Sequence, residues 1–197
     1  MWYTLFVMSG IENHVVNYLQ KRVQLLNNEV PHEVFCPTRQ LVHLNQGVQT
    51  IVKRTLFPGY IFLRTENITC FKEIAQCCTG FLTILRDSDL LFETVRQDEI
   101  DAIRVLLNEQ NEIEFSSGCV ENDRVRIVSG PLRNYCGQIL KINKRECKAK
   151  IQLNFSGKEI FTFVGLNALE KIEEEDAEDA RDIYFQRKQI THSNVSV

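Results

Sequence analysis

Apolar and polar positions alternate in strand-like and helix-like patterns through the first half of the chain. Residues 2–8 form an apolar, β-prone run, after which apolar side chains recur with helical spacing over 11–23. Ser9 and Glu12 stand at the spacing of a capping box, a common start of a helix. The pattern predicts a strand followed by an amphipathic helix over about 11–27.

The rest of this half mixes shorter elements of both kinds. Pro58 and Gly59 interrupt one β-prone run before it resumes at Tyr60. Because strands and amphipathic helices occur in mixed order, we expect a sheet covered by helices. We predict further strands over 33–36, 50–56, 60–64 and 81–85, and helices over 71–78 and 98–109.

A different pattern begins after residue 122. Short β-prone runs follow one another, separated by turn signals such as Ser129-Gly130-Pro131 and Ser156-Gly157. Several short strands within about fifty residues are typical of a small β-barrel. We predict its strands over 124–128, 138–142, 148–155, 159–164 and 168–172.

These patterns divide the chain into four regions and predict the α+β class. The first region is a mixed α/β domain over 1–107, and the barrel occupies 123–172. Residues 108–122 are polar and weakly periodic, so we interpret them as a linker. The tail over 173–197 is acidic and then polar, and we expect it to be either disordered or helical.

Composition excludes several classes of protein. The 197 residues are 44% hydrophobic and 25% charged, which is typical of a globular protein and not of a mainly disordered or fibrous one. The sequence has no apolar run near the ~20 residues that span a bilayer. The apolar start lacks the basic region of an export signal. We therefore expect a soluble, cytoplasmic protein that does not bind a membrane.

The net charge of −3 conceals two oppositely charged stretches. Residues 124–158 hold nine basic side chains and one acidic one, a local charge of +8. Residues 170–182 hold eight acidic and two basic side chains. A basic block of this kind indicates a module that binds polyanions.

The residue types of enzyme and metal sites are present, but not at the required spacings. The seven cysteines lack zinc-site spacing, the four histidines are scattered, and we find no phosphate loop or catalytic triad. We interpret the cysteines as reduced thiols and the acidic run over 173–176 as solvated. We expect no catalytic residues, no metal and no cofactor, with a thiol enzyme as the alternative.

Three segments carry a resemblance to a known family. They are Trp2-Tyr3, Leu56-Phe57-Pro58-Gly59-Tyr60-Ile61-Phe62, and Asp123-Arg124-Val125-Arg126-Ile127-Val128-Ser129-Gly130-Pro131-Leu132 with Asn134-Tyr135 and Gly137 after it. In this order they resemble the NusG family of transcription elongation factors, the third segment resembling its KOW motif. The resemblance covers about residues 1–172. It implies an antiparallel amino-terminal sheet with flanking helices, followed by an SH3-like KOW barrel.

The resemblance also implies two contacts for the amino-terminal domain. Phe6, Phe57, Tyr60 and Phe62 would bind the clamp helices of RNA polymerase, and Tyr60 and Phe62 share one face of their strand. The alternative is that all four are ordinary core residues. Arg64, Lys72 and Arg86 would contact upstream DNA, with simple solvation of these cations as the alternative.

The basic barrel residues point to RNA. Lys148 and Lys150 share one face of a predicted strand, while Ala149 and Ile151 point to the core. A basic loop of this kind resembles the LoaP antiterminator group, although Glu146 and Cys147 depart from its pattern. Tyr135 would stack on an unpaired base or be a buried barrel residue. The predicted RNA-binding residues are Arg133, Tyr135, Lys141, Lys144, Arg145, Lys148 and Lys150.

Together these features predict a monomeric antitermination factor that binds polymerase and a nascent RNA hairpin, promoting readthrough of terminators. One alternative is a general NusG-type elongation factor whose barrel docks ribosomal or termination proteins. Another is a structural ribosomal protein, which the acidic pI of 5.9 disfavours.

Overall fold

The computed structural model describes residues 1–25, 32–45, 48–86, 89, 91–121 and 124–170. Helices in this part are too short or too polar to cross a bilayer. The predicted tail over 173–197 lies outside these residues. The elements in chain order are β1 Trp2–Val7, α1 Glu12–Leu25, β2 His32–Phe35, β3 Thr38–Asn45, β4 Val48–Thr55, β5 Tyr60–Thr65, α2 Ile68–Gln76, β6 Phe81–Ile84, β7 Thr94–Val95, α3 Gln97–Arg104, β8 Glu112–Ile113, β9 Ser116–Glu121, β10 Arg124–Ser129, a 3₁₀ turn Pro131–Asn134, β11 Ile139–Asn143, β12 Lys148–Phe155 and β13 Lys158–Glu170.

The first sheet, called the amino-terminal sheet below, has the strand order β2-β5-β1-β6. Its pairs are antiparallel, and β7 adds a short antiparallel pair to β1. Helices α1 and α2 cover one face, where Leu5, Ile61 and Leu63 are fully buried. Helix α3 packs on the opposite face with Ile100 and Ile103. The predicted mixed α/β arrangement, a sheet with flanking helices, is confirmed.

A long hairpin of β3 and β4 forms a separate small sheet, to which β8 pairs in parallel with β3. Most side chains of β4 are exposed, because this hairpin projects with little cover. We predicted a strand over 50–56, which β4 confirms, but we missed β3. Strand β3 is polar at several positions, so it has no clear apolar alternation. It is a strand because it pairs with β4.

The second sheet, called the carboxy-terminal sheet below, has the order β10-β9-β13-β12-β11. Strand β13 is long enough to pair antiparallel with β12 and then parallel with β9. The predicted strands over 124–128, 138–142 and 148–155 are present with shifts of at most one residue at their ends. The strands predicted over 159–164 and 168–172 are instead parts of one strand, β13, as far as the described residues extend.

The interval predicted as a linker, 108–122, contains β8 and β9 in the structure. Strand β9 belongs to the carboxy-terminal sheet through β10 and β13. The prediction rested on weak local periodicity, whereas both strands are held by partners distant in the sequence. Most of the described residues of this interval therefore belong to strands that pair with other strands.

One continuous apolar cluster joins the two sheets. It contains Trp2 and Phe62 of the amino-terminal sheet, α3, and Ile151 and Phe155 of the carboxy-terminal sheet. A second cluster lies between the amino-terminal sheet and helices α1 and α2. The two sheets thus share a core in this conformation.

Candidate functional site

The four aromatic residues predicted to bind polymerase lie together, and they are called the aromatic patch below: Phe6, Phe57, Tyr60 and Phe62. The antiparallel register places Phe6 opposite Tyr60, and their ring centroids are 5.3 Å apart. Phe57 lies edge-on to Phe62 at 5.9 Å. Because side chains alternate along a strand, Tyr60 and Phe62 share a face as predicted, and Ile61 points to the helices on the other face.

A tight turn holds Phe57 in this patch. Gly59 has φ +85, a conformation that side chains with a Cβ rarely adopt. Its amide donates to the buried Glu12 carboxylate at 2.8 Å, and its carbonyl accepts from Val7 at 2.8 Å. Glu12 also accepts from the Gly10 amide, where the predicted capping box would have used the backbone of Ser9. A buried carboxylate thus links the start of α1 to the turn before β5.

Phe155, at the end of β12, covers the aromatic patch. Its ring stacks on Phe57 at 5.6 Å with 20° between the planes, and it meets Phe62 at 5.3 Å and Tyr60 at 6.2 Å. Phe57 is only 4% exposed and Phe62 is 0% exposed as a result of this cover and of their own sheet. In this conformation the carboxy-terminal sheet occupies the surface that we predicted for the polymerase.

Polar contacts from two elements hold this arrangement. The carboxylate of Glu99 in α3 accepts hydrogen bonds from the amides of Ser156 and Gly157, at 3.3 and 3.0 Å. Both amides belong to the turn that follows Phe155. The guanidinium of Arg39 in β3 donates to the hydroxyl of Thr162 and, at 2.7 Å, to the carbonyl of Phe163. Burial lowers the pKa of Arg39 from its ordinary value.

Buried polar atoms without hydrogen-bond partners lie beside the same contact. In the described part of the chain they are Thr4 Oγ1, Arg39 Nε and Ser156 Oγ. Thr4 pairs with Phe62 across the sheet, and the other two belong to the residues that bridge the sheets. Unpaired buried polar groups cost about 1–3 kcal/mol each, so these three atoms oppose the packing of the contact.

The residues predicted to contact upstream DNA fall into two places. Lys72 and Arg86 line one shallow pocket of about 190 Å³ beside α2 and β6, with the Arg86 guanidinium 5.2 Å from the centre of the Phe92 ring. Arg64 is exposed on β5, opposite Trp2 in register. It therefore lies on the face of the sheet away from α2, so the structure does not bring the three cations to one surface.

Five of the six cations predicted to bind RNA lie close together. Lys141 on β11 is directly opposite Lys150 on β12, and Lys144 and Arg145 are exposed in the turn between these strands. Lys148 and Lys150 share a face and Ala149 points to the core, as predicted. Arg133 belongs to the 3₁₀ turn, which packs on β9 and β10 instead. Lys141, Lys148 and Lys150 are called the lysine face below.

One carboxylate interacts with these cations. Glu146 forms an ion pair with Lys148, and the hydrogen bond from Lys148 holds the pKa of the Glu146 carboxyl below its usual range. The charges of Lys148, Arg145 and Lys141 act in the same direction. Glu146 therefore offsets part of the positive charge of these cations.

Tyr135 is held in place by the carboxy-terminal sheet. Its hydroxyl donates to the carbonyl of Gln152, its ring packs against the shared core, and burial raises its pKa. These contacts favour the alternative of a structural aromatic residue over stacking on a base.

Several residues that matter here were missed from the sequence. Phe155, Glu99 and Arg39 act through contacts between distant parts of the chain, for which the sequence holds no local signal. For Phe161 and Phe163 the sequence does hold a local signal. Their alternation with the buried Thr162 and Val164 would have placed both on the outer side.

Thiols and metal-ligating side chains form no evident reaction centre in the described residues. All seven cysteines lie in this part of the chain and none is in a disulfide. No group of three or more His, Cys, Asp and Glu side chains there is placed to hold a metal ion. Burial, with a smaller effect of the Glu12 charge, raises the pKa of Cys36 to about 12.

Comparisons with known proteins point to one family. The family profile described as "NusG: Transcription termination factor nusG" matches residues 1–104. A transcription termination/antitermination protein NusG of Thermus thermophilus is 28% identical over 169 residues, covering 80% of this chain and 91% of that protein. The protein of the same name from Halalkalibacterium halodurans is 27% identical over 179 residues, covering 87% and 98%. A solved structure titled "Domain interaction in Thermotoga maritima NusG" is 21% identical with a TM-score of 0.49, covering 84% of this chain and 92% of that one.

Proposed function

The chain belongs to the NusG family of transcription factors, and from this premise we propose that it is an elongation and antitermination factor. Its amino-terminal sheet binds the clamp helices of RNA polymerase through the aromatic patch. Its carboxy-terminal sheet, which we assign as a KOW barrel, binds a structured element of the nascent RNA. Proteins of this family are transcription factors and not enzymes, which confirms the prediction of a non-catalytic role.

The observation that carries the proposal is the aromatic patch together with what covers it. A helical hairpin of a partner needs an apolar surface with aromatic pockets, and the patch already accepts one apolar side chain, Phe155. Phe155 and the polymerase would then compete for the same rings. Polymerase binding by this surface requires that the two sheets separate.

Separation of the two sheets is supported by the polar groups at the contact between them. The bridging polar contacts are few, from Glu99 and Arg39, and unpaired polar atoms lie beside them. We call the form with the two sheets in contact closed and the form with separated sheets open. A ligand that binds the open form more tightly shifts the equilibrium towards it, by an amount set by the difference in affinity. Polymerase is such a ligand, because it binds the amino-terminal sheet once the two sheets have separated. In turn, the bound factor favours the closed, processive state of the polymerase clamp.

RNA binding is supported by the charges of the lysine face. Like charges directly opposite each other on neighbouring strands destabilise a sheet, and Lys141 faces Lys150 in this way. A polyanion relieves this repulsion, and each phosphate bound releases counterions. Paired RNA is recognised largely by its shape and backbone, which suits the exposed cations of Lys144 and Arg145 in the adjacent turn.

Upstream DNA is a further proposed partner of the amino-terminal sheet. Lys72 and Arg86 line one pocket and present two cations to a phosphate backbone, whereas Arg64 lies on the other face. We therefore keep Lys72 and Arg86 as a joint DNA contact and treat Arg64 as separate from it. We expect the factor to act as a cytoplasmic monomer.

A reconstituted termination assay tests the proposal. Purified polymerase transcribes a template with an intrinsic terminator, with or without the leader of the operon that contains the gene. We expect the full chain to increase readthrough on the leader template only, and a K141A/K148A/K150A variant to lose this effect. Readthrough that is independent of the leader would favour the general elongation factor, whose barrel docks proteins. Failure to bind polymerase under any condition would overturn the proposal.

A further inference from the structure

The outer side of strands β11 to β13 combines cations with exposed aromatic rings. Strand alternation places the lysine face on β11 and β12, and Phe161 and Phe163 on the neighbouring β13. Phe161 is 49% exposed and Phe163 is 36% exposed, values far above those of the core aromatic residues. We call this surface, Lys141, Lys148, Lys150, Phe161 and Phe163, the platform.

The rings and the ammonium groups of the platform are within reach of one another. Lys148 Nζ lies 4.6 Å from the centre of the Phe163 ring, and Lys150 Nζ lies 5.0 Å from that of Phe161. Each aromatic ring is thus accompanied by one cation on the adjacent strand. A ligand with flat rings joined by a charged backbone meets both kinds of group at once.

Two acidic residues flank the platform. Glu146 pairs with Lys148 in the turn at one end, and Glu159 lies two residues from Phe161 at the other end of β13. Between them the described side chains are cationic, aromatic or neutral. The charge complementarity therefore favours an anionic ligand that lies across the strands.

We infer that the platform binds unpaired RNA, with Phe161 and Phe163 stacking on bases and the three lysines binding phosphates. The inference rests on the proposed RNA-binding function and specifies which part of the RNA this face recognises. Base stacking on aromatic side chains tolerates any base and adds to a salt-dependent backbone contact. The hairpin then binds the turn with Lys144 and Arg145, and its single-stranded flank crosses the platform.

The platform is accessible while the two sheets are in contact. Phe155 points to the same side of β12 as Ile151 and Leu153, whereas Lys148 and Lys150 point to the opposite side. Arg39 binds the backbone carbonyl of Phe163 and leaves its ring exposed. Unpaired RNA therefore binds the closed form of the full chain without displacing Phe155.

The test measures binding of labelled RNA to the full chain by fluorescence anisotropy. The two probes are a decauridylate and a blunt RNA duplex of matched charge. The F161L/F163L variant keeps apolar side chains but removes the rings, and F161Y/F163Y keeps the rings. We expect the leucine variant to lose about tenfold or more in decauridylate affinity and less than about twofold in duplex affinity, and the tyrosine variant to match the wild type.

Two further variants separate stacking from charge. K141A/K150A should weaken the binding of both probes. For decauridylate, the slope of log affinity against log salt concentration should become shallower by about 1.4, because two phosphate contacts are lost. V128A, at another exposed apolar position of the same sheet, serves as the control and should bind as the wild type does. Ultraviolet crosslinking of 5-iodouridine RNA should modify the tryptic peptide 159–171, which contains both rings.

The outcomes distinguish this inference from the proposed function. If F161L/F163L binds decauridylate like the wild type while K141A/K150A does not, the platform does not stack bases, and RNA binding by charge stands. If the wild type binds neither probe nor a leader hairpin at low salt, the proposed RNA-binding function itself fails. If F161L/F163L keeps its affinity for both RNA probes but no longer binds a ribosomal or termination protein, the platform is a protein-docking surface and the inference is overturned.

Discussion

Phe155 of the carboxy-terminal sheet stacks on Phe57 of the amino-terminal sheet, with ring centroids 5.6 Å apart and 20° between the ring planes. The two residues lie far apart in the sequence, and the contact joins both sheets into one apolar cluster. Phe57 belongs to the aromatic patch that we propose for polymerase. On this proposal, the same rings contact either Phe155 or the polymerase, and not both at once.

Loosening the polar contacts between the sheets should increase binding to polymerase. In an E99A/R39A variant the amides of Ser156 and Gly157 and the carbonyl of Phe163 lose their partners. Hydrogen bonds to charged groups contribute about 1.5–3 kcal/mol each, so we expect polymerase affinity to rise about tenfold or more. The affinity is measured by titrating labelled polymerase with each variant.

Matched variants control for the loss of charge. D98A removes an exposed carboxylate from the same helix, and R54A removes the arginine opposite Arg39 in the hairpin. Both should bind polymerase as the wild type does. Equal affinity of E99A/R39A and the wild type would mean that the contact between the sheets does not limit access to the patch.

Replacing Gly59 should destabilise the fold more than replacing Gly10. Both have positive φ, but a Cβ at Gly59 would lie 3.2 Å from Phe6, Ser9 and the Val7 carbonyl, whereas none of the described atoms lies within 4 Å of one at Gly10. We expect G10A to cost about 1 kcal/mol and G59A about 2–3 kcal/mol of unfolding free energy. Urea unfolding followed by circular dichroism measures the difference, and equal losses would contradict the close packing of this turn.

Neutralising Glu146 should strengthen RNA binding at low salt. Its carboxylate pairs with Lys148, and the hydrogen bond from Lys148 keeps the pKa of Glu146 below its usual range. In E146Q the lysine is free to bind phosphate, so we expect RNA affinity to rise about two- to fivefold and the salt slope to steepen by about 0.7–0.9.

The pH dependence of the wild type checks the same ion pair. Because the folded-state pKa of Glu146 is lowered, the pair persists as the pH falls through the usual range of a glutamate and is lost only below it. The gain in RNA affinity on acidification should begin below that range. E109Q, an exposed charge change outside the basic region, should leave RNA affinity unchanged, and a similar gain in this control would exclude a specific effect of Glu146.

Cys36 should resist alkylation in the folded chain, whereas Cys77 and Cys136 should react. Burial, followed by the Glu12 charge, raises the pKa of Cys36 to about 12, so its thiol keeps its proton at about pH 8, and the other two thiols are exposed. Iodoacetamide labelling followed by mass spectrometry measures each site. Rapid labelling of Cys36 without unfolding would contradict its burial.

The same pKa shift predicts a loss of stability in alkali. Below the ordinary value of 9.0 the thiol is protonated in both the folded and the unfolded chain. As the pH rises from 9.0 towards about 12, the unfolded chain releases this proton and the folded chain retains it, so the free energy of unfolding falls. A C36A variant should lose this part of the pH dependence in urea unfolding curves.

Local periodicity predicted most of the elements. Helix α1 was predicted over about 11–27 and spans Glu12–Leu25, and β12 was predicted with its observed bounds, Lys148–Phe155. These segments repeat apolar residues at a helical or strand period, because one side of each is buried against a core. Strand β3 and the strands within 108–122 were missed, since their order depends on partners distant in the chain.

The sequence by itself determined which side chains share a face. Alternation grouped Tyr60 with Phe62 and Lys148 with Lys150, since the geometry of a strand is set by its own backbone. Only the tertiary structure decided what each face meets: Phe155 on the aromatic patch, Lys150 opposite Lys141, and Phe161 and Phe163 beside the lysine face. These contacts depend on strand register and on packing between segments that are far apart in the sequence, which no local pattern encodes.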